Sequence, residues 1–262
     1  MSWVITPAQR TDPDALAYLA EVERADGQAL ESGVRDAVIA FVTGCKADGI
    51  WPAIKASCIL AGARTRIGAL TPLSGVAPTS FNFVDADYNR ETGLKGNASN
   101  KYLNSNRADN ADPLNSFHMS GYITTTALGG ANEFLMGGVS TGSNLGSFIF
   151  NGTGNLRVTL RATGTDTFNI SGAGGSTGFI GGSRSGASAS DFRVQQTNYT
   201  SSQSSTTAAT HNNFVFCRSV NGAPGSFTNA RLAFYSIGES LDLTLLDARV
   251  TTLINAFAAA IP

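Results

Sequence analysis

Histidine, cysteine and charge are all scarce in this 262-residue chain, and each shortage closes off a class of function. The 2 histidines are His118 and His211. Without a Gly-x-Ser-x-Gly elbow, and with so few bases, a serine nucleophile activated by a histidine is not expected. The 3 cysteines, Cys45, Cys58 and Cys217, are odd in number and lack Cys-x-x-Cys spacing. That argues against a disulfide framework and a zinc site, and for small buried hydrophobes in a reducing cytosol. Charged residues make up 14% and the net charge is −1, which gives no electrostatic reason to bind nucleic acid or an anionic membrane. No apolar run approaches the roughly 20 residues needed to cross a bilayer, so no membrane insertion is expected. Met1 to Pro7 has neither a basic start nor a long apolar stretch, so no signal peptide is expected.

What is present falls into two compositions. Up to about Thr65 the chain is helix-patterned and carries much of the charge. Asp12-Pro13 is a helix start, with a capping acid and a proline at the first helical position. Leu16, Leu19, Ala20 and Glu23 then recur at helical spacing until Gly27. A second helix from near Ser32 places Val34, Val38, Phe41, Val42 and Cys45 on one side and ends at Gly49. A third is predicted over Trp51–Ile59, with Trp51, Ile54 and Cys58 inward. From Leu70 to Ser236, Gly, Ser, Thr and Asn dominate, and Gly-, Asn- and Ser-rich breaks separate short β-prone segments. Asn155 to Arg161 alternates polar and apolar as a half-buried strand should. A last helix from Ser240 carries Leu246, Val250, Leu253 and Phe257 inward, with Glu239 or Ser240 as its cap. Trp51, Ile54, Leu246, Val250 and Leu253 are expected to be buried.

This pattern predicts a mainly β fold. It is an antiparallel β-sandwich of jelly-roll type (67–240), preceded by an attachment arm (1–11) and a small three-helix unit (12–66), and followed by a C-terminal helix (241–262). Three stretches, Thr92 to Asn104, Phe117 to Thr124 and Ala230 to Leu241, resemble strands of phage-associated concanavalin A-like, or laminin-G-like, domains. The helical front, with Gly44 to Trp51 and Ile54 to Gly62, is similar to proteins encoded by tailed phages and prophages. The resemblance implies a virion structural protein located in the particle, and a fold shared by lectins, adhesion modules and hydrolases. Hydrolases of that superfamily carry a Glu-x-Asp-x-x-Glu strand. Here Glu91, Glu133 and Glu239 each stand alone beyond Leu70, so the paired carboxylates of glycoside hydrolysis are missing and no enzyme is expected.

The candidate sites are therefore binding sites. Tyr199, beside Asn198 and a Ser/Thr-rich stretch running to His211, is the best surface aromatic for a sugar face. With the glycine loop near Gly174 it marks the expected glycan contact, at the end farthest from the N-terminal helices. Asp109, Asn110 and Asp112 bring oxygen atoms together as calcium requires, and as ordinary turns also do. Calcium is the one cofactor this leaves open. The apolar Trp3-Val4-Ile5 is expected to attach to other virion proteins and to support a homo-oligomer, a trimer. The reading is a tail- or head-fibre component binding host-surface glycan, and the alternative is a capsid decoration protein without a receptor.

Overall fold

A computed structural model describes residues 12–125, 132–140, 145–152, 154–162 and 168–262. The arm residues Trp3, Val4 and Ile5 lie outside the described residues. Helix α1 (Pro13–Asp26) is capped by Asp12, whose Oδ1 accepts from the Asp14 and Ala15 N–H groups at 3.1 Å each. Gly27 ends it at φ 70°, a left-handed conformation that glycine adopts at little cost. Its buried stripe is Ala15, Tyr18, Leu19 and Val22. Leu16, at the same helical spacing, is 37% exposed. Helix α2 (Ser32–Ala47) buries Val34, Val38, Phe41, Val42 and Cys45 as their spacing predicts.

Two antiparallel sheets form the predicted sandwich. Sheet A runs, in spatial order, β14 (Thr197–Ser201), β13 (Ala189–Val194), β12 (Gly178–Gly186), β7 (Phe117–Thr125), β18 (Arg231–Gly238), β1 (Ile54–Ile59) and β2 (Pro72–Ser74). The short β4 (Tyr88–Asn89) and β5 (Gly93–Lys95) continue along β18. Sheet B runs β11 (Phe168–Ile170), β10 (Asn155–Ala162), β9 (Leu145–Gly152), β8 (Glu133–Ser140), β15 (Asn212–Val215), β6 (Tyr102–Ala108) and β3 (Thr79–Phe81). Beside it, β16 (Arg218–Val220) pairs with β17 (Ala223–Gly225) and, in parallel, with β8. No helix lies within 115–235 among the described residues.

The predicted third helix is not there. Trp51–Ala53 makes one 3-10 turn, and β1 follows in the middle of sheet A, between β18 and β2. Ile54 and Ile59 face the helices, while Ala56 and Cys58 face the sandwich core. A strand buried on both faces reads as an unbroken apolar run, which periodicity cannot tell from a buried helix. The sandwich thus begins at Ile54, inside the stretch assigned to the helical unit. Trp51 is only half-buried. The third N-terminal helix is instead the single turn α3 (Arg66–Ala69), capped by Thr65 Oγ1 accepting from Gly68 N at 3.1 Å.

Helix α4 (Leu243–Ala260) closes the chain against sheet A and α2. Its cap is Asp242, whose Oδ1 accepts from Thr244 N at 2.7 Å. Glu239, expected in that role, pairs with Lys55 at 2.9 Å. At 18 residues α4 is long and apolar enough to cross a bilayer, yet Leu246, Val250, Leu253 and Phe257 are buried in the helix-sheet core. Gly62, at φ +85°, lies where a Cβ would come within 2.8 Å of the Phe257 ring, so only glycine lets α4 settle there. Two cores result. One lies between the sheets, around Leu103, Met119, Val158 and Leu232. The other lies between sheet A and the helices, where Phe41 meets Phe234 edge-on at 5.9 Å.

Candidate functional site

The edge of sheet A nearest the start of α4 holds the site. Strands β13 and β14 form a hairpin whose turn, Gln195–Gln196, has φ of 48° and 67°. Two successive positive φ values match the twist of the flanking strands, and that is why such tight hairpins form. On the helix-facing side, Arg193 pairs with Asn198, and Asp191 lies between Ser183 and Thr200. The first row locks the hairpin to α4. Arg193 Nε donates to Asp247 Oδ2 at 2.6 Å, its Nη1 donates to Asn198 Oδ1 at 2.6 Å, and Asn198 Nδ2 donates to Thr244 Oγ1 at 3.3 Å. Leu241 N donates to Ser183 Oγ at 3.1 Å, fixing the approach to the helix.

The second row is left open. A cleft of about 460 Å³ runs between β12–β14 and residues 240–244, lined among others by Ser183, Asp191, Tyr199, Thr200 and Thr244. Asp191 and Thr200 are exposed, and no ion pair engages Asp191 among the described residues. A free carboxylate beside an exposed threonine hydroxyl can accept from and donate to sugar hydroxyls. It offers no histidine or lysine for acid–base chemistry.

Of the residues predicted for glycan contact, Asn198 and Tyr199 come together here. Tyr199 is not on a loop, however. It sits in edge strand β14, half-buried, its ring 5.9 Å from Phe168, which stacks in turn on Phe192 at 4.5 Å. Asn198 spends its amide on the lock just described. Gly174 is buried in the turn before β12, donating its N–H to Gly154 O at 3.1 Å. His211 precedes β15 on sheet B, where its carbonyl accepts from Asp109 N. Neither lines the cleft, and the cleft lies beside α4 rather than at the end remote from the helices. Asp191, Ser183 and Thr244 were missed in the sequence. The alternation Asp191-Phe-Arg-Val194 carries the signal, because it sends Asp191 and Arg193 to one face and Phe192 and Val194 to the other.

The Asp109–Asp112 turn, considered above for calcium, surrounds a buried arginine. Fully buried Arg161 donates to the backbone carbonyls of Asp109, Asp112 and Pro113 and lies 4.2 Å over the Phe117 ring. Asp109 Oδ2 accepts from Ala209 N at 3.0 Å, and Asp112 pairs with Arg107. Burial pushes the Asp109 carboxyl up to about 6, against the opposing pull of Arg161. Asn110 is exposed. No group of three or more His, Cys, Asp or Glu residues suited to a metal occurs among the described residues. The acids build a socket for a guanidinium.

His118 is a core residue: Nδ1 lies 2.5 Å from Glu239 O and Nε2 2.7 Å from Ser236 Oγ. Burial pulls its pKa down to about 4, so it stays neutral near pH 7. A second groove, of about 680 Å³, lies between α1 and β2 and includes Asp14 and Trp51. There Asp14 Oδ2 accepts from Trp51 Nε1 at 3.2 Å and pairs with Lys46 at 2.7 Å.

No protein-family model and no curated protein matches the sequence. Solved structures do. A mutant of Trypanosoma rangeli sialidase displaying trans-sialidase activity matches with a TM-score of 0.50 at 10% identity, over 84% of this chain and 39% of that one. The botulinum neurotoxin serotype D binding domain gives 0.49 at 12% identity, over 76% and 51%. The binding domain of botulinum neurotoxin DC in complex with rat synaptotagmin II gives 0.46 at 12%, over 79% and 52%. This chain spans about half of those structures or less. At such identities the likeness shows the fold alone, a β-sandwich.

Proposed function

We propose that this chain is a structural protein of a phage virion, a tail- or head-fibre component whose β-sandwich binds host-surface glycan through the cleft between β12–β14 and the start of α4. The observation that carries the reading is the exposed Asp191 carboxylate, which no ion pair engages among the described residues, beside the exposed Thr200 hydroxyl in that cleft. These are groups that recognise hydroxyls, held on strands locked to a helix. The phage origin rests on the sequence resemblance. Binding without catalysis is the role, because the cleft pairs no base with a nucleophile. Residues 1–11, with Trp3, Val4 and Ile5, attach to other virion proteins. A trimer then multiplies weak single sites into firm attachment.

Glycan-array binding by the intact protein tests this. Wild type should retain a defined set of host glycans, and Asp191→Ala and Thr200→Ala should each lower retention at least ten-fold with unchanged melting. If no glycan is retained and the protein is found seated on the capsid surface, decoration replaces adhesion.

A further inference from the structure

The outward face of sheet B carries an aromatic cluster of its own, Phe134, Val139, Phe148 and Phe150, separate from both main cores. Register explains it. Phe134 lies opposite Phe150, Phe150 opposite Arg157, and Arg157 opposite Asn169, in one row across four strands. The Phe134 and Phe150 rings stack at 4.7 Å with planes 11° apart. Arg157 reaches over Phe150 at 5.5 Å, and Arg218 covers Phe134 at 4.4 Å. The rings are 4% and 6% exposed, while both arginines are half-buried. The rings are covered by one another and by Val220, with a guanidinium over each of two of them.

Arg157 and Arg218 differ from the other described arginines in having no acceptor. Arg24, Arg35, Arg66, Arg90 and Arg249 meet carboxylates. Buried Arg184 donates to four backbone carbonyls. Arg157 and Arg218 make no hydrogen bond or ion pair among the described residues, and the Nε of each is shut off from water without a partner. Each half-buried guanidinium lies over a ring without a partner among the described residues, and a guanidinium fork accepts a carboxylate through two parallel bonds.

We propose that Arg157 and Arg218 are the two anchors of a binding site for an acidic polysaccharide, each taking one sugar carboxylate on the outward face of sheet B. Two cations set on either side of a stacked ring pair suit a chain with repeating carboxylates better than a single anion. With a net charge of −1 the protein has no general pull on polyanions, so the attraction is local. The sugar class rests on the glycan reading of the preceding subsection, while the carboxylate chemistry stands on the arginines.

Calorimetric titration of the intact protein with a tetramer of glucuronate, a neutral glucose tetramer and inorganic phosphate tests the proposal. The glucuronate tetramer should bind at least ten-fold more tightly than either control, and less so as salt rises. Arg157→Gln and Arg218→Gln should each weaken it at least ten-fold, with Arg→Lys variants restoring part of the loss. Unaltered binding by the glutamine variants, or phosphate binding as tightly as the tetramer, overturns the site. Should a glutamine variant fail to fold, the lysine variant decides, because it keeps the charge and removes the fork. Loss of array binding through the cleft with this titration intact would sink the cleft reading alone.

Discussion

The two sheets of this sandwich solve the same problem in different ways. Each must cover an outward face that is not fully polar. Sheet A turns Phe179, Ala233 and Phe234 outward and roofs them with α2 and α4. Sheet B turns Phe134, Phe148 and Phe150 outward and covers them with one another and with arginine stems. A helix roof removes water completely and fixes geometry, whereas an arginine roof leaves charged groups at the surface. The first sheet is therefore the scaffold on which the cleft is held. The second keeps chemistry available on its open face.

The largest expected effects test the roof. Phe234→Ala should cost about 5 kcal/mol, the upper end for a large buried ring, because a space enclosed by a helix cannot collapse. Phe148→Ala should cost about 2–3 kcal/mol, since its open neighbourhood can rearrange or admit water. Chemical denaturation measures both, and equal costs would erase the distinction between the sheets. Arg161→Met comes next, at about 3 kcal/mol, because it strips three carbonyls of donors and leaves Asp109 buried without a cation. Arg218→Gln, by contrast, should cost less than about 1 kcal/mol.

A pH series separates the two regions without removing a ring. His118, on β7 of sheet A, holds a folded pKa of about 4 against about 6.5 unfolded. The unfolded chain therefore binds the extra proton in that window, and His118 withdraws up to about 3 kcal/mol as pH falls from 6.5 to 4. Asp109, beside β6 of sheet B, has its pKa pushed up to about 6 against about 3.9 unfolded. Here the folded state binds the proton first, so stability rises by a similar amount over nearly the same fall in pH. The contributions of these two groups should nearly cancel between pH 6 and 4. His118→Gln should become more stable, relative to its own value at pH 6, as pH falls, and a flat profile for that variant would refute the opposition. Tyr199→Ala should cost about 1 kcal/mol, reflecting loss of its contact with Phe168.

The sequence made the sandwich legible because most strands bury one face, as in Asn155 to Arg161, and because Asp12-Pro13 and Gly27 punctuate α1 unmistakably. It hid β1, since Ile54 to Ile59 is apolar toward both cores. It hid the β13–β14 hairpin too, since Gln195-Gln196 is not the Asn-Gly or Asp-Gly pair that announces such a turn. At the candidate site Tyr199 and Asn198 were visible as an aromatic beside an amide. Asp191 and Thr244 were not, because only folding brings α4 against β14. Asp109 and Asp112 read alike as metal ligands or turn residues, and their partner Arg161 lies some fifty residues on, beyond the reach of any local pattern.

Chemical-shift mapping of the intact protein, titrated with a neutral oligosaccharide that the array identifies, tests the proposed binding cleft most directly. Perturbed amides should centre on Ser183, Asp191, Thr200 and Thr244, with the outward face of sheet B unchanged. Perturbations centred on Trp51 and α1, or none at saturating ligand, would contradict it.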